Sequence, residues 1–454
     1  MTEHSSENLN RDQLKLVSII LAAGKGTRMR SNVPKVLHPL LGAPLLEHVL
    51  RASSGLASDA GADSSQRVVV VGYGREEIRS AFASYEKHEP LTWAVQDEQR
   101  GTGHAAAVGV VEVSRQLDAS PDAALLVLNG DLPLLRPDTL RALWSKFKTE
   151  NADVALLTCT ASNPHGYGRI VRREGLFCSI IEERDADETA RRSNEINVGT
   201  YLFRARDFRH YIDKITPSNA QGELYLTDVV TKASEDGKKI VTHTVDDERE
   251  IAQVNDRRDL ANAQQILRSR LLDEYMAAGV TIVDPVTTYI ELDVAIGKDT
   301  IIHPFTHIER GIRIGEGCQI GPFCHLRPGT MLHDRVKAGN FVEIKNSSIG
   351  QGTKVPHLTY VGDGDIGETV NVGAGTIFAN YDGATRSKSR TALGDGVFIG
   401  SGTILVAPVT LAQGSSTGAG SVVLRNHDVA KGEVVVGVPA RPIRAKTKEN
   451  KEKA

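Results

Sequence analysis

Short apolar runs alternate with amphipathic segments from Leu16 to about Asn255. The runs "LVSIIL", "RVVVV", "LTWAV" and "AALLVL" predict buried strands, because each is a short, continuous apolar stretch. Segments such as "PLLEHVLRAS" and "EEIRSAFASY" follow them and predict amphipathic helices. This alternation predicts a mostly parallel sheet with helices on both faces, in which ligands bind beyond the carboxyl ends of the strands.

The pattern changes between Asp256 and Gly279, where one longer amphipathic segment occurs. Its apolar positions recur at steps of three and four, which is the spacing of a single helix face. Because the sequence follows a different pattern on either side, this segment predicts a helix that connects two architectures. The apolar positions are Leu260, Ala263, Leu267, Leu271 and Tyr275.

A repeat of six residues dominates the chain after this helix. An aliphatic residue recurs at each sixth position, and glycine often follows it, as in "IGKDTI" and "IGEGCQ". Such hexapeptide repeats stack as a parallel β-helix, in which the recurring aliphatics fill the axis of a triangular prism. A β-sandwich would require a period of two, which this segment lacks. The repeat runs through Ile296, Ile302, Ile308, Ile314, Ile320, Leu326, Leu332, Ala338 and Ile344, then Ile349, Val355, Val361, Ile366 and Val372, and after the loop "NYDGATRSKSRTA" through Leu393, Ile399, Leu405, Leu411 and Thr417.

These patterns divide the chain into four parts. Residues 1–14 are polar and are predicted to be a disordered tail, and residues 15–257 form the α/β domain. Residues 258–278 form the linker helix, and residues 279–454 form the hexapeptide-repeat domain, which ends in the lysine-rich tail "KTKENKEKA". No apolar run approaches the roughly 18 residues that span a bilayer, so we expect no membrane partner.

Composition favours small-molecule partners over nucleic acid. The formal net charge is −3 over 454 residues, which gives no basic surface for a polyanion. The cysteines form no C-x-x-C pair, which excludes the usual zinc and disulfide patterns and fits a reducing cytoplasm. We therefore expect a cytoplasmic protein that binds small molecules.

The segment "LAAGKGTRM", Leu21 to Met29, follows the first predicted strand and has the composition of a phosphate-binding loop. It lacks the glycine spacing of both the G-x-x-x-x-G-K-[ST] loop and the dinucleotide fingerprint. Its small residues would let backbone N–H groups approach a phosphate closely, with Lys25 or Arg28 supplying countercharge. On these residues alone, a tight glycine turn with solvated cations is the alternative.

The segment "LNGDLPLL" places Asp131 directly after the predicted strand "ALLVL". Because parallel strands end at the same edge of a sheet, we expect Asp131 to lie beside the phosphate loop. A carboxylate there is a natural ligand for Mg²⁺, which takes one or two protein oxygens together with phosphate and water. An aspartate that only caps the next turn is the alternative for this residue in isolation.

Further motifs identify a family. "LAAGKGTRM" with "PKVLH", followed by "QDEQRGTGHA", "GYGRI", "IIEERD", "EINVGTYLF", "NAQGELYLTD" and "VND", resembles the bifunctional GlmU family over nearly the whole chain. That family joins a UDP-N-acetylglucosamine pyrophosphorylase to a glucosamine-1-phosphate N-acetyltransferase. The resemblance implies a Rossmann-like α/β nucleotidyltransferase domain and a C-terminal left-handed parallel β-helix.

The resemblance implies a nucleotide site and a sugar site in the first domain. Arg28 and Lys35 would bind phosphates and act in catalysis, and Asp131 and Asn255 would hold Mg²⁺. One departure is Asn129, where the family often has tyrosine before "GD". The full set implied to bind the nucleotide and the sugar is Leu21, Ala22, Ala23, Gly24, Lys35, Gln96, Gly101, Thr102, Asn129, Gly130, Asp131, Gly168, Glu182, Asn197 and Asn255.

In the second domain the candidate catalytic residue is His357, in "VPHLTYVGD". A histidine of ordinary pKa can take a proton from an attacking amine near neutral pH, although a structural histidine at a coil corner fits the residues alone. The segment "HLTY" resembles the family segment that carries the catalytic base. The resemblance therefore implies that His357 is the general base of acetyl transfer. Pro356 and Gly437 depart from the family pattern. The implied acceptor-sugar residues are Arg327, Lys345, Tyr360 and Asn371, and the implied acetyl-CoA residues are Ala374, Asn380, Tyr381, Ser401 and Ala419.

The resemblance therefore implies a cytoplasmic homotrimer that makes UDP-N-acetylglucosamine for peptidoglycan and lipopolysaccharide precursors. Acetyl transfer from acetyl-CoA to glucosamine 1-phosphate would come first, and uridylyl transfer from UTP would follow with Mg²⁺. One alternative is a monofunctional sugar-1-phosphate nucleotidyltransferase with a structural β-helix. A second is a sugar-nucleotide sensor that binds without turnover.

Overall fold

The computed structural model describes residues 14–59 and 66–443. The predicted tails lie outside these residues, apart from Leu14 at the end of the first. The chain divides into one compact unit that ends at Ile266 and a second that begins at Leu267. No helix of the described residues is long and apolar enough to cross a membrane.

The first unit alternates strands and helices as the sequence predicts. Its elements, with the connecting helix last, are β1 (Leu16–Ala22), β2 (Pro39–Leu40), β3 (Ala43–Pro44), α1 (Leu45–Asp59), β4 (Gln66–Val71), α2 (Arg75–Phe82), β5 (Thr92–Val95), α3 (Thr102–Glu112), α4 (Ser114–Ala119), β6 (Ala124–Asn129), α5 (Pro137–Thr149), β7 (Val154–Thr160), β8 (Arg169–Arg173), β9 (Leu176–Ile181), α6 (Glu188–Arg191), β10 (Glu195–Arg204), α7 (Ala205–Ile212), α8 (Leu226–Glu235), β11 (Ile240–Val245) and α9 (Arg257–Ala277).

The main sheet has the strand order β11-β7-β10-β6-β1-β4-β5, and β10 runs antiparallel to both of its neighbours. Successive residues of β1 pack into different apolar clusters: Leu16 and Ile20 face α1 and α5, whereas Val17 and Ile19 face α3 and α8. The sheet is therefore covered on both faces, which explains why its central strands are continuous apolar runs.

The carboxyl ends of β1 and β6 lie side by side. The two strands are parallel, and Leu21 stands opposite Asn129 in their register. The loop after β1 and the residues after Asn129 consequently meet at one edge of the sheet. The expectation that Asp131 and the loop after β1 lie at the same edge of the sheet is therefore confirmed.

The predicted linker segment forms one helix, α9. Ala263 is buried, and Tyr275 donates a hydrogen bond from its hydroxyl to the Val294 carbonyl at 2.7 Å. The prediction of a continuous helix over this segment is confirmed.

The second unit is built of short parallel strands that stack in columns. The strands are β12 (Thr281–Ile282), β13 (Tyr289–Ile290), β14 (Ala295–Ile296), β15 (Ile301–Ile302), β16 (His307–Ile308), β17 (Arg313–Ile314), β18 (Gln319–Ile320), β19 (His325–Leu326), β20 (Met331–Leu332), β21 (Lys337–Lys345), β22 (Ser348–Ile349), β23 (Lys354–Gly362), β24 (Gly364–Ile366), β25 (Asn371–Val372), β26 (Ile377–Ala379), β27 (Tyr381–Asp382), β28 (Ser387–Lys388), β29 (Thr391–Leu393), β30 (Phe398–Ile399), β31 (Ile404–Val406), β32 (Val409–Leu411), β33 (Ser416–Thr417), β34 (Val422–Val423), β35 (Val434–Val436) and β36 (Arg441–Pro442).

The sixth-residue positions form the interior of this β-helix. From Ile302 to Thr417 every predicted interior residue is buried, and Ile296 at the start is partly buried. The ladder continues beyond the predicted end through Val423, Val429 and Val435. Each coil buries few side chains, so stacking on its neighbours supplies the core.

Candidate active sites

A cavity of about 530 Å³ opens at the edge where β1 and β6 end. Residues from motifs that are far apart in the sequence line this cavity together. Of the predicted nucleotide, sugar and metal residues, those that line the cavity are Leu21, Ala22, Ala23, Gly24, Arg28, Lys35, Gln96, Gly101, Thr102, Asn129, Asp131, Gly168, Glu182, Asn197 and Asn255.

Gly130 lies behind the wall of this cavity. Its N–H donates to the Leu21 carbonyl at 2.9 Å, and an added Cβ would come within 3.0 Å of that oxygen. Gly130 therefore allows the chain after β6 to pack against the end of β1, which brings Asp131 to the cavity.

Two cations and the two side chains predicted to hold Mg²⁺ meet at one place in the cavity wall. The Lys35 ammonium lies 2.6 Å from Asp131 Oδ2 and 3.3 Å from Asn255 Oδ1. The Arg28 guanidinium donates to the same Asn255 oxygen at 3.0 Å. The other oxygen of Asp131, Oδ1, is buried and has no hydrogen-bond partner among the described residues. Carboxylate and amide oxygens suit Mg²⁺, so this orphaned oxygen and the Asn255 oxygen fit that ion.

The glycines of "GKGT" shape this part of the cavity wall. Gly26 has a φ of 60°, and a Cβ there would lie 2.6 Å from the Lys35 Cβ. Only glycine combines that backbone angle with that approach. Of the two cations in the loop, Arg28 lines the cavity, whereas Lys25 lies 5.9 Å from the Tyr73 ring.

Two amide side chains, Gln96 and Gln99, also line the cavity. Gln96 Nε2 donates to the Gly101 carbonyl at 3.2 Å, and Gly101 has a φ of 106° at the start of α3. Gln99, which the motifs did not single out, also lines the cavity and donates to the Ala23 carbonyl at 2.9 Å. Gln99 therefore ties this part of the cavity wall to the loop after β1.

Glu182 and Asn197 line the cavity together with two residues that the sequence motifs did not single out, Tyr201 and Thr227. The Thr227 hydroxyl donates to Glu182 Oε1 at 3.0 Å. Burial of Glu182 raises the pKa of its carboxyl, because desolvation disfavours the charged form. Tyr201 on β10 and Thr227 on α8 occupy positions where the apolar pattern of the sequence predicts a buried residue in any case. That pattern therefore gives no functional signal for either residue.

The cationic residues predicted for the second site lie near one another on the β-helix. The backbone N–H of Arg327 donates to the Ile344 carbonyl, so its coil stacks directly against the coil of Lys345. The Arg327 guanidinium also lies 2.7 Å from Glu343. The charge of Arg327, and then that of Lys388, lowers the pKa of the Lys345 ammonium. Such a concentration of positive charge suits a phosphate group.

His357 lies exposed in β23. Its Nδ1 is 3.1 Å from Asn340 Oδ1, on the coil before it. Pro356 extends the strand here, and its carbonyl lies against Gly339, where any Cβ would overlap it. Glycine at position 339 therefore leaves room for the backbone of Pro356 on the neighbouring coil.

The remaining predicted residues lie on the coils that follow. Ala374 O accepts from Gly402 N, and Ser401 O accepts from Gly420 N, so Ala374, Ser401 and Ala419 occupy equivalent corners of successive coils. The corner of His357 and Leu358 stacks beneath them, because Gly375 N donates to Leu358 O at 3.1 Å. Four further residues lie on these coils: Asn371 and Tyr381 are exposed, Tyr360 is half-buried, and Asn380 is buried and bonded to Asp363.

Comparison with protein families assigns a different family to each unit. Residues 18–194 match the MobA-like NTP transferase domain. Residues 293–328 match the bacterial transferase hexapeptide, in a model of six repeats.

Curated relatives match the chain over nearly its whole length, and each is called "Bifunctional protein GlmU". The protein from Heliobacterium modesticaldum is 43% identical over 96% of this chain and 97% of its own length. The protein from Mycolicibacterium gilvum is 43% identical over 94% of this chain and 90% of its own length. The protein from Corynebacterium diphtheriae is 41% identical over 92% and 91%.

Proposed function

Because the chain belongs to the family of bifunctional GlmU proteins, we propose that it makes UDP-N-acetylglucosamine in two steps. The β-helix unit transfers an acetyl group from acetyl-CoA to glucosamine 1-phosphate. The α/β unit then transfers a uridylyl group from UTP to N-acetylglucosamine 1-phosphate and releases pyrophosphate. The observation that carries the second step is the cluster of Arg28, Lys35, Asp131 and Asn255 in the wall of the cavity.

Uridylyl transfer at this cavity is a matter of positioning and charge. A phosphate oxygen of the sugar phosphate attacks the α-phosphorus of UTP, and the bond to the β-phosphate oxygen breaks. The enzyme needs no covalent nucleophile for this displacement, and Arg28 and Lys35 neutralise the charge of the phosphates. Mg²⁺, held by Asp131 and Asn255, would supply further positive charge when bound.

Acetyl transfer requires a base for the attacking amine. With Nδ1–H of His357 donating to the Asn340 oxygen, Nε2 is the nitrogen free to take the amine proton. The amine nitrogen then bonds to the acetyl carbonyl carbon, the carbon–sulfur bond breaks, and the CoA thiolate leaves. The corners of Ala374, Ser401 and Ala419 carry small side chains, along which acetyl-CoA would lie beside this base.

The two steps are separable by substitution. Asp131→Ala should abolish pyrophosphate release and leave CoA thiol release unchanged, and His357→Ala should do the reverse. Both activities are measured on the same preparation of each variant, so each serves as the folding control for the other. If no CoA thiol is released above background by the unaltered protein, the monofunctional alternative replaces this proposal.

We also propose that the protein is a cytoplasmic homotrimer that contacts neither nucleic acid nor membrane. An exposed apolar ladder supports assembly through the β-helix: Phe305, Phe323 and Phe341 stack on successive coils with centroid distances of 4.8 and 5.1 Å. Each of these rings is about half exposed in the single chain. Aromatic surface of this kind is typical of the buried centre of an interface.

A further inference from the structure

Asp363 is a buried carboxylate that neither proposed step uses. It lies between β23 and β24 with 6% of its surface exposed, and its backbone N–H donates to the Lys345 carbonyl at 3.0 Å. Its Oδ1 accepts a hydrogen bond from the Asn346 side chain on the preceding coil, and its Oδ2 accepts one from the Asn380 side chain on the following coil. A buried carboxylate needs such donors, so these three side chains form one connected ladder.

The carboxylate of Asp363 determines which way the Asn380 carboxamide faces. An ionised carboxylate only accepts hydrogen bonds, so Asn380 turns its Nδ2 toward Asp363 and its Oδ1 away. Asn380 is 8% exposed, and no donor to this oxygen is recorded among the described residues. The oxygen is not fully enclosed, so a ligand can reach it. Asn380 therefore offers an acceptor of fixed orientation.

Asp363 also binds both ends of the loop "NYDGATRSKSRTA", which interrupts the coils. Its carboxylate contacts Asn380, where the loop leaves, and its carbonyl accepts from the Thr391 N–H at 3.1 Å, where the loop returns. Tyr360 lies beside Asn380, because a Cβ added at Gly362 would overlap both the Tyr360 hydroxyl and Asn380 Nδ2. The fixed oxygen thus lies among residues implied to bind the acetyl-transfer substrates.

We propose that Asp363 is a positioning residue for acetyl transfer, which holds the Asn380 oxygen ready to accept a hydrogen bond from an N–H group of the substrates. This inference rests on the proposed acetyl transfer. Two substrate groups have the required chemistry: the amide N–H groups in the pantetheine arm of acetyl-CoA, and the attacking amine of glucosamine 1-phosphate. A neutral amide at position 363 would not impose this orientation by itself, because it carries a donor as well as an acceptor.

The first variant is Asp363→Gly, which removes both acceptor oxygens and suits the backbone φ of 54°. The Asn380 carboxamide is then free to turn. We expect kcat/KM for CoA thiol release to fall about tenfold, as for one lost hydrogen bond to a substrate. A higher KM for acetyl-CoA would identify the pantetheine amide as the donor. A lower kcat with both KM values unchanged would identify the attacking amine.

The second variant combines Asn346→Asp with Asp363→Asn, which moves the charge by one coil. The new carboxylate at position 346 accepts from the amide N–H at position 363, so the amide oxygen at position 363 faces Asn380. Asn380 then keeps its orientation without a carboxylate beside it. This double variant should recover kcat/KM to within about threefold of the unaltered protein.

Asp365→Gly is the matched control. Asp365 also lies on β24 and forms an ion pair with Arg390 near the returning end of the same loop, but it is exposed and has no recorded contact with Asn380 among the described residues. Its kcat/KM should change less than about twofold. Thermal unfolding of each variant verifies that the second unit is folded at the assay temperature.

The possible failures are distinguishable. If the unaltered protein releases no CoA thiol, the proposed acetyl transfer itself fails. If it does, and Asp363→Gly keeps the unaltered kcat/KM, the role of Asp363 is refuted. A loss that the double variant does not restore, or that Asp365→Gly shares, would also refute it, because that result indicates only a weakened loop base.

Discussion

Lys35 is the cation of the cavity at the carboxyl ends of β1 and β6 that contacts both predicted metal ligands. Its ammonium contacts Asp131 and Asn255, the two side chains that would hold Mg²⁺. Binding of a metal and a triphosphate would release Lys35 from these oxygens toward the phosphates. In the ligand-free chain the ion pair with Asp131 thus keeps a cation beside the proposed reaction site.

Lys35→Met should therefore lower kcat for uridylyl transfer by roughly two to three orders of magnitude, as for a lost charge-stabilising donor. Acetyl transfer should be unaffected. Lys25→Met is the matched control, since Lys25 belongs to the same loop but does not line the cavity. The rate of pyrophosphate release tests this assignment. An equal decrease of that rate in the two variants would contradict it.

Glu182 makes stability depend on pH. Its pKa is raised above the ordinary 4.5 by burial, so the folded protein binds its proton more tightly than the unfolded chain. The resulting stability is fully present below about pH 4.5 and is lost as pH rises through the folded pKa. Above that pKa the ionised carboxylate of Glu182 lowers the free energy of unfolding of the ligand-free protein.

Glu182→Gln removes this titration and keeps an oxygen for the Thr227 hydroxyl. At pH 8 the Tm of the first unit should be higher in this variant than in the unaltered protein. At pH 4.5 the two Tm values should differ little. Scanning calorimetry at both pH values measures the difference. A difference in Tm that does not grow with pH would mean that Glu182 titrates normally.

The residues alone pointed to the loop after β1 and to Asp131, because phosphate loops and strand-end carboxylates have recognisable local sequences, and the resemblance supplied the other predicted residues. Among the lining residues that neither identified are Gln99, Tyr201 and Thr227. Gln99 and Thr227 have partners far away in the chain, Ala23 and Glu182, and no local pattern reports such a pairing. Gly130 was assigned to the binding site by resemblance, but the structure places it behind the wall.

The elements of the β-helix were the most predictable part of the fold. A side chain that points inward at every sixth position leaves a strong period in the sequence, and the structure buries those positions. The direction of β10 was not predictable in this way. An antiparallel strand buried on both faces has the same apolar pattern as a parallel one, so its bulge at Gly199 and the pairing of β8 with β9 emerged only in three dimensions.

The contact between Gly339 and Pro356 adapts neighbouring coils to each other at the proposed acetyl-transfer site. Gly339→Ala should destabilise the second unit by about 1 to 3 kcal/mol, because the added methyl overlaps the Pro356 backbone. Acetyl transfer should fall with it, since His357 follows Pro356. Thermal unfolding measures the loss, and Gly383→Ala is the control, because its added Cβ meets nothing within 4 Å. Equal stability of the two variants would contradict the packing argument.

At the scale of the whole molecule, the proposed trimer would assemble through surface that one chain leaves exposed. Phe323 is the middle ring of the stacked ladder, between Phe305 and Phe341. Phe323→Asp should convert the proposed trimer into monomers, because a charge would be buried in an apolar interface. Light scattering on a sizing column measures the mass. Met331→Asp is the control, because Met331 is an exposed apolar residue in a different strand column, and this variant should stay trimeric. A monomeric unaltered protein would contradict the proposal.

Two chemistries in one chain are the central claim for the whole molecule. The nucleotidyltransferase match and the hexapeptide match fall in separate compact units, and relatives named for bifunctionality cover both. The cavity near Asp131 supports the first chemistry, and the exposed His357 with its neighbouring cations supports the second.

The most direct measurement supplies the unaltered protein with glucosamine 1-phosphate, UTP and Mg²⁺, with and without acetyl-CoA, and follows CoA thiol and pyrophosphate together. The account predicts UDP-N-acetylglucosamine as the product when acetyl-CoA is present, with one thiol released for each pyrophosphate. Without acetyl-CoA it predicts almost no pyrophosphate. Pyrophosphate release that proceeds equally without acetyl-CoA, or without thiol, would contradict it.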